Sequence, residues 1–126
     1  MTFDWSAYHR LAQSLAKDTD RAETEAKQRS AISRGYYYVF HLARRHVEVD
    51  LGKARVRSDA HDQVWSTLET EGKTREIRAA GAKGKRLKVK RNQADYDASI
   101  AAIDRECQLA LTEVDAIARL LGVSVP

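Results

Sequence analysis

At 126 residues, 43% hydrophobic and 32% charged, the chain can bury one core, is too short for two, and is not composed like a disordered segment. The overall charge of +4 is modest, and a lone Cys107 excludes an internal disulfide framework. No apolar run approaches the ~20 residues needed to cross a bilayer, and Met1-Thr2-Phe3-Asp4-Trp5 lacks the basic-then-apolar order of a secretory leader, so a cytoplasmic protein without membrane contact is expected.

Trp5, Tyr8, Leu11, Ala12 and Leu15 recur at three- and four-residue steps and predict an amphipathic helix from Asp4, its expected N-cap, to Lys17. Asp18, Thr19 and Asp20 read as the following turn. A longer helix is predicted from Arg21 to Val49, with a polar first half and an apolar seam of Ile32, Gly35, Tyr36, Val39, Ala43 and Val47. Gly35 costs such a helix on the order of 1 kcal/mol against alanine, which close approach of a neighbouring helix would explain. After a loop over Leu51–Arg57, Ser58 or Asp59 is expected to cap a third helix with His61, Val64, Trp65 and Leu68, ending near Gly72.

The next segment is thin in apolar residues. Ile77, Ala79 and Ala80 predict a short helical turn, Gly81 and Gly84 a break, and Leu87–Asp95 the start of another helix. Ile100, Ile103, Cys107, Leu111, Val114, Ile117 and Leu121 mark the last helix, with Gly122 as its stop. The expectation is one all-α domain over residues 1–126: an up-and-down antiparallel four-helix bundle with a basic loop before the last helix.

The charge is unevenly placed. Between Gly72 and Gln93 nine basic residues face one acid, Glu76, a local +8 that leaves the rest of the chain at −4. A mobile, positively charged loop there reads as a grip on phosphate backbones through Lys83, Lys85, Arg86, Lys88, Lys90 and Arg91, or as a solvated segment with no ligand. Without a base-reading device, RNA recognised by shape or as a single strand fits better than DNA; an acidic protein partner would use the same charges. No phosphate-cradling glycine loop, zinc spacing or serine–histidine–aspartate pattern is present, and neither a metal nor a cofactor is expected.

Tyr36, Tyr37 and Tyr38 are about 100° apart on a helix. Tyr36 and Phe40 are expected in the core, with Tyr37 or Tyr38 meeting water, a base or a second subunit. The run Ser30-Ala31-Ile32-Ser33-Arg34-Gly35-Tyr36-Tyr37-Tyr38-Val39-Phe40-His41 resembles the second-helix signature of HEPN domains. Leu87-Lys88-Val89-Lys90-Arg91-Asn92-Gln93-Ala94-Asp95-Tyr96-Asp97 resembles that family's second motif, and His61 falls where many relatives place a histidine. The resemblance implies a helical bundle that dimerises. It also implies a role in toxin–antitoxin or defence systems, as a metal-independent ribonuclease, an RNA binder, or a non-catalytic partner of a nucleotidyltransferase. It makes Arg34, Tyr36, Tyr37, Asp95 and Tyr96 the structural members of the motifs, and Arg91 and Asn92 the catalytic candidates.

Catalytic relatives carry a histidine one to two helical turns after the arginine. Here those positions hold Tyr96, Asp97 and Ala98. Cleavage by the RNA 2′-OH needs a proton carrier near neutrality; tyrosine titrates near about 10 and aspartate near about 4. Arg91 can still hold a phosphate. His9, His41, His46 or His61 could serve only if folding sets one beside Arg91, and Arg34 is expected to pair with Asp95. The chain therefore reads as an RNA-interacting domain with a degenerate ribonuclease motif. The alternatives are a dimerising interaction module and an active endoribonuclease.

Overall fold

The computed structural model describes residues 3–18, 23–54, 56–57 and 59–124. It is all-helical: α1 (Ser6–Lys17), α2 (Thr24–Arg45), a π-helical turn (His46–Asp50), α3 (His61–Glu71), α4 (Arg75–Tyr96) and α5 (Ile103–Leu120), with no strand among the described residues. Thr19, Asp20, Arg21 and Ser58, expected in a turn, a helix start and a cap, lie outside the described residues. No helix is long and apolar enough to cross a membrane.

α2 is the central element, touching α1, α3, α4 and α5, while α3 packs on α4 and α4 on α5. Its seam is buried as the periodicity requires: Ile32, Tyr36, Val39, Phe40, Ala43 and Val47 are all at most 2% exposed. Gly35 faces α5, where an added Cβ would stand 3.0 Å from Val114 Cγ2 and 3.2 Å from Leu111 Cδ2. The close approach anticipated from that glycine is therefore present. Tyr38 is buried as well, against α1, where its ring stacks on His9 at 4.6 Å. Two consecutive tyrosines can both be buried because α2 has helices on more than one side; Tyr37 keeps partial exposure.

α1 begins at Ser6, and Asp4 accepts the Ser6 N–H at 3.0 Å and the Ser6 hydroxyl at 2.5 Å. At the other end of the chain, Gly122 has a φ of 87°, the left-handed conformation that closes a helix, and its N–H donates to Arg119 O.

The main departure from the sequence reading lies between Lys73 and Lys90. The expected basic loop and glycine break are one uninterrupted helix, α4, capped by Thr74, whose Oγ1 accepts the Ile77 N–H at 3.1 Å. The glycines are contact points instead. A Cβ at Gly81 would fall 2.5 Å from Glu69 N and 2.7 Å from Trp65 O, and one at Gly84 only 2.1 Å from Trp65 Cε3. They let α4 lie directly on the backbone and indole of α3. Local propensity disfavours glycine in a helix by about 1 kcal/mol, and the packing it permits outweighs that cost.

Candidate functional site

Tyr36 and Tyr37 of α2, His61 and Trp65 of α3, and Lys88, Arg91, Asn92 and Asp95 of α4 come together where the three helices meet. The helical repeat explains each contribution. His61 and Trp65 are one turn apart at the start of α3, and Lys88, Arg91 or Asn92, and Asp95 follow one another at three- and four-residue steps on α4.

The inner half of the site is an aromatic hydrogen-bonded chain. Trp65 Nε1 donates to the Tyr36 hydroxyl at 3.0 Å, and that hydroxyl lies 2.7 Å from His61 Nδ1. With the indole already donating to it, a buried Tyr36 hydroxyl has His61 Nδ1 as the acceptor for its own proton. This fixes the imidazole proton on Nε2. Burial raises the Tyr36 pKa, which keeps it a donor at any ordinary pH. The His61 ring stacks on Phe40 at 3.9 Å, and burial, then Arg91 and Lys88, push its pKa down, so it is neutral near pH 7.

The outer half is organised around Arg91. Its Nη2 donates to the Tyr37 hydroxyl at 2.5 Å and its Nη1 to Asn92 Oδ1 at 2.9 Å; its Cζ lies 5.0 Å from the Tyr37 ring centroid. Arg91 Nε is 3.0 Å from Asp95 Oδ2, yet this nitrogen makes no hydrogen bond among the described residues, so the contact is Coulombic rather than a directed N–H···O bond. Among the described residues Nη1 and Nη2 each make one hydrogen bond of the two that their protons allow. Asp95 also accepts from Ser33 Oγ at 3.3 Å, and Arg29 Nη1 donates to the Ala94 and Asp97 carbonyls, so α2 holds this end of α4 in place.

The expected Arg34–Asp95 pair does not form. Asp95 is taken by Arg91, one turn earlier on its own helix, while the Arg34 guanidinium lies 5.3 Å from the Tyr8 ring centroid. Tyr96 is 77% exposed and stands outside the cluster. His61 is the residue missing from the sequence-derived site: nothing in its own helix links it to Arg91, and the link runs through the tyrosine pair of α2.

The basic residues divide over two flanks of α4. Lys85 pairs with Glu69 at 2.6 Å and Lys88 with Asp62 at 2.8 Å, both on α3. Lys90 pairs with Glu106 at 2.6 Å and Lys83 with Glu113 at 3.5 Å, both on α5. Arg86 is exposed and forms no ion pair among the described residues. The stretch is thus less electropositive than its local charge suggests. These pairs are solvent-accessible, however, worth about 0–1 kcal/mol each, and can yield to a polyanion. Among the described residues no three His, Cys, Asp or Glu side chains gather as a metal site.

Compared with family models, with curated proteins and with solved structures, the chain finds no match in any of the three.

Proposed function

We propose that the protein is a HEPN-like, up-and-down helical bundle that binds RNA through the Arg91–His61 site and acts, as a dimer, in a toxin–antitoxin or defence system. The observation that carries this reading is the convergence of His61 and Arg91 on Tyr36 and Tyr37 at a partly exposed junction, beside Lys88. Arg91 offers its remaining terminal N–H groups to a phosphate. Tyr37, partly exposed, offers apolar ring area to a base. Lys85, Arg86, Lys88 and Lys90 supply the counterion-releasing charge, and the lysines exchange their carboxylate partners for phosphates.

His61, a neutral imidazole whose Nδ1 accepts from Tyr36, keeps only the Nε2–H, which can donate to a phosphate but cannot take the 2′-OH proton. An active endoribonuclease would need Tyr36 to release that nitrogen, and is the second alternative. A dimerising module that partners a nucleotidyltransferase is the second reading. It is favoured by the commitment of Arg91 to Tyr37, Asn92 and Asp95 and by the internal pairing of four of the lysines.

The test is incubation of the protein with labelled tRNA and mRNA in EDTA, beside Arg91→Ala and His61→Ala. A salt-sensitive mobility shift lost in Arg91→Ala supports RNA binding. Cleavage lost in both variants adds catalysis. Neither shift nor cleavage leaves the partner module.

A further inference from the structure

Around Tyr36 the hydrogen bonds run in one direction. Trp65 Nε1 donates to the Tyr36 hydroxyl at 3.0 Å, and the hydroxyl gives its own proton to His61 Nδ1, 2.7 Å away. An imidazolium carries a proton on Nδ1 and cannot accept that bond. The Tyr36 hydroxyl has no second acceptor among the described residues: its side chain is fully buried, with the rings of Phe40, Trp65 and Tyr37 around it. Neutral His61 with the Tyr36 bond intact is therefore one state of the junction. Charged His61 with that bond given up is the other.

The charges around the imidazole decide between them. α4 presents Arg91 and Lys88, which oppose a charge on the ring, whereas Asp62 beside it and Asp59 before it favour one. α2 presents Tyr36 and Tyr37, and also His41, which is neutral near pH 7 because burial, then Arg44 and His61, push its pKa down to about 4. Without a ligand both acids are matched by cations, Asp62 by Lys88 at 2.8 Å and Asp59 by Arg57 at 3.0 Å. A phosphate at the junction reverses the balance in three ways. It offsets the charge of Arg91, draws Lys88 away from Asp62, and adds its own negative charge beside the ring. Each favours the imidazolium. The ring is open to such a ligand, since His61 is partly exposed and its Nε2 makes no hydrogen bond among the described residues.

Resting on the RNA-binding reading above, we propose that a phosphodiester held at Arg91 draws a proton from solvent onto His61, which gives up its hydrogen bond from Tyr36 and becomes a second cation on the ligand. The site therefore tightens on RNA as the pH falls, and Tyr36 is the latch that keeps the imidazole neutral until a ligand arrives.

A 2′-O-methyl tetrauridylate without terminal phosphates tests this, because it cannot be cleaved by its own 2′ oxygen and carries no group that titrates between about pH 5 and 8, where histidine does. Calorimetric titration in buffers of different ionisation enthalpy is expected to show proton uptake on binding. Affinity is expected to rise by up to about tenfold for each pH unit by which the solution is lowered through that window. NMR of the His61 ring nitrogens is expected to show the Nε2–H form in the free protein and both nitrogens protonated in the complex. His61→Gln is expected to lose both the proton uptake and the pH dependence; should it fail to fold, the ring-nitrogen spectrum of the unaltered protein decides. Affinity that is flat across the window, a pH dependence that survives in folded His61→Gln, or a His61 Nδ1 that stays unprotonated in the complex overturns the inference and leaves the RNA-binding reading standing. No binding up to about 1 mM overturns both.

Discussion

Where α4 faces α3, contact is made by backbone and ring: Gly81 lies against the main chain at Glu69 and Trp65, and Gly84 against the Trp65 indole. Along its flanks the same helix is held by lysine–carboxylate pairs to Glu69, Asp62, Glu106 and Glu113. The first contact is dry and dictated by shape, so even one added carbon matters. The second is wet, screened and exchangeable. Packing and surface charge are therefore separated on one helix: the inner face holds α4 in position, and the flank pairs can be lost without opening the core.

The largest effect should come from the inner face. Gly84→Ala improves helix propensity by about 1 kcal/mol but drives a Cβ into Trp65, and a net loss of about 1–3 kcal/mol is expected in denaturant unfolding. A stabilised variant would break the distinction, because it would mean that the indole moves freely. Next comes the aromatic chain behind the site. Tyr36→Phe keeps the ring but leaves Trp65 Nε1 and His61 Nδ1 without their partner, at about 1–3 kcal/mol. The same change frees the tautomer of His61, so NMR of the ring nitrogens should show both Nδ1–H and Nε2–H forms.

A smaller effect is expected from pH. His41 titrates at about 4 in the folded protein against 6.5 for the free side chain, chiefly because burial disfavours the imidazolium. The folded state thus favours the neutral ring. Its contribution is complete above pH 6.5 and is lost as the pH falls toward and through 4. The melting temperature should decline across that window, and His41→Gln should flatten the decline. Partial exposure of the ring limits the size of this effect. Smallest of all, Lys85→Gln should change stability by less than about 1 kcal/mol, while lowering the salt dependence of the proposed RNA binding by roughly one phosphate contact. A large stability loss there would show that the flank pairs are structural after all.

Much of the fold could be read from the order of residues. The seam expected from Ile32 to Val47 is buried along α2 and the π-helical turn, and that expected from Ile100 to Leu121 is buried or partly buried along α5, which begins only at Ile103 and ends at Leu120. The segment around Gly81 and Gly84 could not be read this way. Glycine, alanine and lysine resemble a loop when only local preference is weighed, and the reason for their helicity is the tryptophan of another helix. The site divides in the same manner. Arg91, Tyr36 and Tyr37 stand out in the motifs, whereas the assignment of Asp95 to Arg91 instead of Arg34, and the choice of His61 among four histidines, depend on how α2, α3 and α4 are set against one another.

Periodicity is a property of a single helix, so composition and spacing alone settle that most of this chain is helical, which faces of α2 and α5 are apolar and where its cations concentrate. Partnership is a property of pairs of helices. Which cation meets which carboxylate, which tyrosine is buried, and which imidazole lies near Arg91 are decided when helices close on one another, because distances of a few ångströms across an interface carry no trace in the spacing along the chain.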